Sequence, residues 1–92
     1  MEKEQAETIA LQALSFLVKD EDLLEQFLTN SGLTADELKK RFNDPQLLGG
    51  VLDAILGDDT VLLDFCNAVS LSPDTLVKAR RALPGGYDIY GS

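Results

Sequence analysis

Sixteen carboxylates, one thiol and no imidazole are what this chain brings to any reaction. The absence of histidine removes the commonest general base, the commonest zinc ligand and every Ser–His or Cys–His nucleophile pair. The carboxylates come in groups: Asp20-Glu21-Asp22, Asp36-Glu37 and Asp58-Asp59. Each group falls where a helix is expected to begin, and there the open N–H groups and the helix dipole favour negative charge. Capping therefore accounts for them. A calcium loop needs the pattern D-x-[DN]-x-[DN]-G with a later glutamate. "DEDLLEQ" from Asp20 fails at the third ligand, and "DDTVLLD" from Asp58 lacks the glycine. A carboxylate pair of the glycosidase kind needs a sugar cleft, and a chain with no Trp and two Tyr offers little to build one. Gly49-Gly50 and Gly85-Gly86 are isolated pairs and form no phosphate-binding fingerprint. Cys66 follows Phe65 in an apolar stretch and reads as a small buried hydrophobe with a raised pKa, not as a nucleophile. No catalytic residue, metal ligand or cofactor-binding residue is assigned.

Two basic clusters remain: Lys39, Lys40 and Arg41, then Lys78, Arg80 and Arg81. Both close a predicted helix, where cations are favoured. They are also candidate partner-binding spots on an otherwise acidic protein. The third candidate is the tail "LPGGYDIYGS", in which Tyr87, Ile89 and Tyr90 could fold back over the domain or dock elsewhere as an extended segment.

The elements that carry these residues are all helical. Apolar residues recur at three and four, as at Ile9, Ala13, Phe16 and Leu17, and then at Leu24, Phe27 and Leu28. Caps mark the breaks. Asp20 precedes one helix and Ser31-Gly32 ends it. Thr34 opens "TADE", a capping box. Asp44-Pro45 and Ser72-Pro73 each place a proline in the first helical turn, where its missing N–H costs nothing. The spacing predicts six short helices over about 4–18, 21–30, 35–42, 45–56, 59–69 and 73–82.

The chain also resembles itself. Shifted by 38 residues, positions 14–40 and 52–78 align without a gap and are identical at eight of 27: Leu14/Leu52, Asp20/Asp58, Leu24/Leu62, Phe27/Phe65, Leu33/Leu71, Asp36/Asp74, Leu38/Leu76 and Lys40/Lys78. The expected architecture is one all-α domain over 1–92. It is a compact bundle of two similar three-helix units, about 4–42 and 45–82, followed by the tail 83–92. Neither unit alone buries a sufficient core, so each is expected to shelter the other's apolar face. Gly49-Gly50 inside the fourth helix is expected either to admit another backbone closely or to weaken and kink that helix.

Composition narrows the partners. With 45% apolar residues the chain can build a core, and one cysteine rules out an intramolecular disulfide. No apolar run is long enough to span a bilayer, and the acidic start "MEKEQAETIA" is the opposite of a signal peptide, so a cytoplasmic protein is expected. A formal net charge of −8 argues against nucleic acid and against anionic membrane surfaces as partners.

The stretch "DDTVLLDFCNAVSLSPDTLVKARRALPGG" at 58–86, with "ALSFLVKDEDLLEQFLTNSGL" at 13–33 before it, resembles a bacterial family of small proteins known only as a domain of unknown function. The most specific parts are the spacing from Asp58 to Phe65 and the closing "LPGG". The resemblance implies a small, all-helical, cytoplasmic bacterial protein and carries no activity, cofactor or site residue. The functional expectation is a non-catalytic module that binds another protein, or a second copy of itself. One alternative is a small-molecule-binding or carboxylate-dependent enzymatic domain with a pocket between the units. A nucleic-acid-associated regulator is the other, and the charge counts against it.

Overall fold

Local hydrogen bonds set the boundaries of six helices: α1 (Lys3–Val18), α2 (Glu21–Ser31), α3 (Ala35–Lys40), α4 (Pro45–Leu56), α5 (Asp59–Val69) and α6 (Pro73–Arg81). They are those of a computed structural model, which describes residues 1–83. The Asp20 carboxylate accepts from the N–H groups of Asp22 and Leu23 at 3.0 and 3.3 Å. Asp58 repeats this at Thr60 and Val61, again at 3.0 and 3.3 Å. Thr34 and Glu37 form the reciprocal capping box, with the Glu37 N–H donating to Thr34 Oγ1 (3.1 Å) and the Thr34 N–H to Glu37 Oε1 (3.2 Å). α2 and α5 both end in a left-handed residue, Gly32 at φ 72° and Ser70 at φ 58°. In each case the next N–H reaches back to close the helix, Leu33 to the Leu28 carbonyl (3.2 Å) and Leu71 to the Cys66 carbonyl (3.0 Å). These matched caps are 38 residues apart.

α3 stops at Lys40, two residues short of the expected end. Beyond it the Asp44 N–H donates to the Arg41 carbonyl (2.9 Å), and the Arg41 guanidinium holds the Asp44 carboxylate at 3.0 Å. That tight turn leaves Phe42 exposed.

The core lies around α1 and α4, which pack on each other. α1 contributes a stripe of fully buried alanines, Ala6, Ala10 and Ala13, with Ile9, Leu14 and Leu17 beside them. α4 contributes Leu48, Val51, Leu52 and Ile55, all at 0–1% exposure. Phe16 of α1 meets Phe65 of α5 edge to face, with ring centroids 5.4 Å apart.

The third helix of each half has a different fate. α6 packs against α1, α4 and α5, and Leu76 is fully buried. α3 has no comparable packing with any helix among the described residues and anchors itself through Leu38. α2, α5 and α6 each pack against both α1 and α4, and α3 does not. Gly50 also departs from one expectation: a Cβ there would meet nothing within 4 Å, so no backbone approaches it. Its neighbour Gly49 is buried. Among the described residues, no helix is long and apolar enough to cross a membrane.

Candidate functional site

α4 is written PQLLGGVLDAIL, and Asp53 is its single charged residue. The Arg80 Nε donates to Asp53 Oδ1 at 2.7 Å, and Arg80 Nη1 donates to the Leu83 carbonyl at 3.1 Å. The two ends of this ion pair sit in unlike surroundings. The Arg80 side chain is 3% exposed and the Asp53 side chain 39%. Arg80 thus bolts α6 to α4 from inside, while Asp53 keeps contact with solvent. A buried guanidinium demands such partners, because stripping it of water costs several kcal/mol unless its donors are satisfied. No buried side-chain nitrogen or oxygen among the described residues lacks a hydrogen bond.

The solvent side of Asp53 opens on a groove between α2 and α4. One end is a hollow of about 540 Å³ floored by Phe27, Leu33 and Leu47 and edged by Gly50, Asp53 and Ala54, with Arg41 also on its lining. A second hollow of about 350 Å³ continues it past Phe27, Asp53 and Ala54 to Leu17, Leu23, Val61 and Asp58. The walls follow from helix periodicity. On α4 the lining runs through Gln46, Leu47, Gly50, Asp53 and Ala54 to Gly57, and on α2 through Leu23, Gln26, Phe27, Asn30 and Ser31. Each set follows the i, i+3, i+4, i+7 pattern and so occupies one face of its helix.

The electrostatics of this region are set by capping and pairing. The Arg41 guanidinium beside Asp44, with the Gln46 N–H on the same carboxylate, holds Asp44 below the usual carboxylate range. Burial pushes the Cys66 thiol up, so it stays protonated and weakly nucleophilic, as the sequence suggests. Among the described residues, no three Cys, Asp or Glu side chains come together as metal ligands would.

The basic clusters fare unequally. Lys39, Lys40 and Arg41 are all exposed at the end of α3. In the second cluster Lys78 and Arg81 are exposed, but Arg80 is buried and committed to Asp53. Arg80 is therefore structural, and grouping it with a surface patch was an error of sequence proximity. Arg80 and Arg81 also edge a separate apolar hollow of about 470 Å³ with Leu56, Leu62 and Val77. Tyr87, Ile89 and Tyr90 lie outside the described residues.

A groove or pocket between the two units is what the sequence leads one to expect, and α2 and α4 belong to different units; which helices form it and which residues line it are not readable there. One signal was available: a lone acid, Asp53, in an otherwise uncharged helix, with the small residues Gly50, Ala54 and Gly57 at three before it, one after and four after. The family model described as Protein of unknown function (DUF3572) matches residues 3–86 of the 92. The chain belongs to this family. The matched span of this DUF3572 chain takes in all six helices, both walls of the groove and the Arg80–Asp53 pair. No curated protein and no solved structure matches the DUF3572 chain.

Proposed function

We propose that the protein is a non-catalytic interaction module that docks a segment of another protein in the groove between α2 and α4. The observation that carries this reading is the pairing of two helix faces along two joined hollows, with Phe27, Asp53 and Ala54 shared by both. Partner helices are commonly received in grooves of this kind. The chemistry available supports binding over catalysis: there is no histidine, the thiol is buried, and Arg80 is already occupied by Asp53. The reading also keeps the two three-helix units as diverged copies. Their matched Asp20/Asp58 and Gly32/Ser70 caps support a common origin, with α6 recruited to the core and α3 left at the rim beside the groove. The test is a photo-crosslinking residue at Asn30, which is exposed and lines both hollows. In the cell that makes the protein it should yield a discrete adduct that Ala54→Trp abolishes. Adducts that are absent, or indifferent to that block, refute docking at this groove.

A further inference from the structure

Resting on that reading, we infer that the segment received by the groove is a short helix with an apolar face and lysine or arginine along its edge. Three observations lead there. The first is length. The lining of α2 runs from Leu23 to Ser31 and that of α4 from Gln46 to Gly57. At 1.5 Å per residue the walls are about 12–17 Å long, the length of two to three helical turns.

The second is backbone chemistry. Both walls are α-helices whose own N–H and C=O groups are internally paired, so an extended peptide lying between them would find no ladder for its main chain. A helix satisfies its own backbone and offers only side chains.

The third is charge. Two carboxylates line the second hollow, and both are held in place. Asp53 is fixed by Arg80 Nε at 2.7 Å and Asp58 by the N–H groups of Thr60 and Val61. Asp22 and Glu25 lie in the adjoining surface depression, which shares Gln26 and Asn30 with the groove. The nearby cations are both paired, Arg80 with Asp53 and Arg41 at the far end with Asp44, which leaves Asp58, Asp22 and Glu25 to set the sign of the groove. The whole chain carries −8. An apolar floor of Phe27, Leu17 and Leu23 beneath fixed carboxylates is complementary to an apolar, cationic helix and repels an acidic one.

The probe is a synthetic amphipathic helix of leucine and lysine, compared with counterparts in which every lysine is glutamine or glutamate. Binding to the full chain is read by fluorescence anisotropy at low and moderate salt. The lysine peptide should bind one to one and the glutamate peptide should not. Ala54→Trp, at an exposed position on the groove wall, should weaken the lysine peptide about tenfold or more by filling the space. Asp58→Asn keeps the cap, because Asn caps as well as Asp, and should weaken it about threefold by removing one charge. Gln26→Arg, also exposed and on the second hollow, is the alternative should the tryptophan variant fail to fold, and it should weaken the lysine peptide as well.

If the glutamine peptide binds as tightly and Ala54→Trp still blocks it, the cationic requirement is refuted and the groove reading stands. Lysine-peptide binding that ignores Ala54→Trp and Gln26→Arg is diffuse attraction to an acidic surface and overturns the inference. If no peptide binds while the Asn30 adduct persists, the helical occupant is refuted but docking is not; loss of both removes both.

Discussion

Gly50→Ala should make this protein more stable. Glycine inside a helix costs about 1 kcal/mol relative to alanine, chiefly because the unfolded chain is freer, and substitutions at compatible sites recover about 0.4–1 kcal/mol. Whether the site is compatible depends on space and on φ. Gly50 lies within α4, and a Cβ built on it meets nothing within 4 Å. No packing is lost and no clash is made, so the gain should be nearly the full propensity difference. For a domain of this size 1 kcal/mol corresponds to about 4–8 °C in Tm, so a rise of about 2–8 °C is expected. Two other glycines are the controls. A Cβ at Gly57 would meet the Asp53 carbonyl oxygen at 3.2 Å, so Gly57→Ala should gain less or nothing. Gly32 sits at φ 72°, and Gly32→Ala should cost about 1 kcal/mol or more. The assay is urea unfolding followed by circular dichroism, with the slope m compared across variants to confirm that the unfolded reference is unchanged. A Gly50→Ala protein no more stable than the parent, at equal m, would refute the argument. It would mean that α4 is not regular at Gly50 or that another group fills the groove there. A stable Gly50→Ala variant that loses the Asn30 adduct would locate a functional use for the empty space.

Four further outcomes are expected. Ser70→Gly should stabilise by about 1 kcal/mol in the same assay, because Ser70 holds at φ 58° a conformation that its counterpart Gly32 adopts without strain. Asp53→Ala should cost about 2–3 kcal/mol, short of a fully buried pair because Asp53 touches water, whereas Asp64→Ala on an exposed face should stay within about 0.5 kcal/mol; equal effects would dissolve the Arg80 bolt. The Cys66 thiol, buried and shifted up, should resist alkylation near pH 8 until denaturant exposes it, and its contribution to stability should fall away only as the pH rises past the ordinary thiol value of about 8.5. Asp44 shifts the opposite way: its carboxylate adds stability above its unfolded value of about 3.9 and loses it as the pH falls through the lower folded value, so the margin over Asp44→Asn should shrink on acidification.

What the sequence determined by itself is what short-range chemistry governs. The starts of α2 to α6 were legible because an Asp, Thr or Ser side chain reaches its own backbone two or three residues on, and the stops of α2 and α4 because a glycine follows; α3 gives way at Arg41 with no such signal, and its end was the one misplaced. The core face of α1, and Phe27 on α2, were legible for the same reason, since a period of three to four needs no knowledge of the partner. Even the Cys66 environment followed from its apolar neighbours. Three things were decided only by the tertiary structure. Arg80 pairs with Asp53 across 27 residues, a distance over which nothing local indicates a partner, so its neighbours Lys78 and Arg81 made it look like a surface cation. Leu38 and Leu76 lie 38 residues apart and both are buried, yet α6 packs against α1, α4 and α5 while α3 stays at the edge, because α2, α5 and α6 already cover α1 and α4. The groove lies between helices whose facing sides each look like ordinary amphipathic patterning. It exists because α2 and α4 are held at a separation set by everything packed behind them.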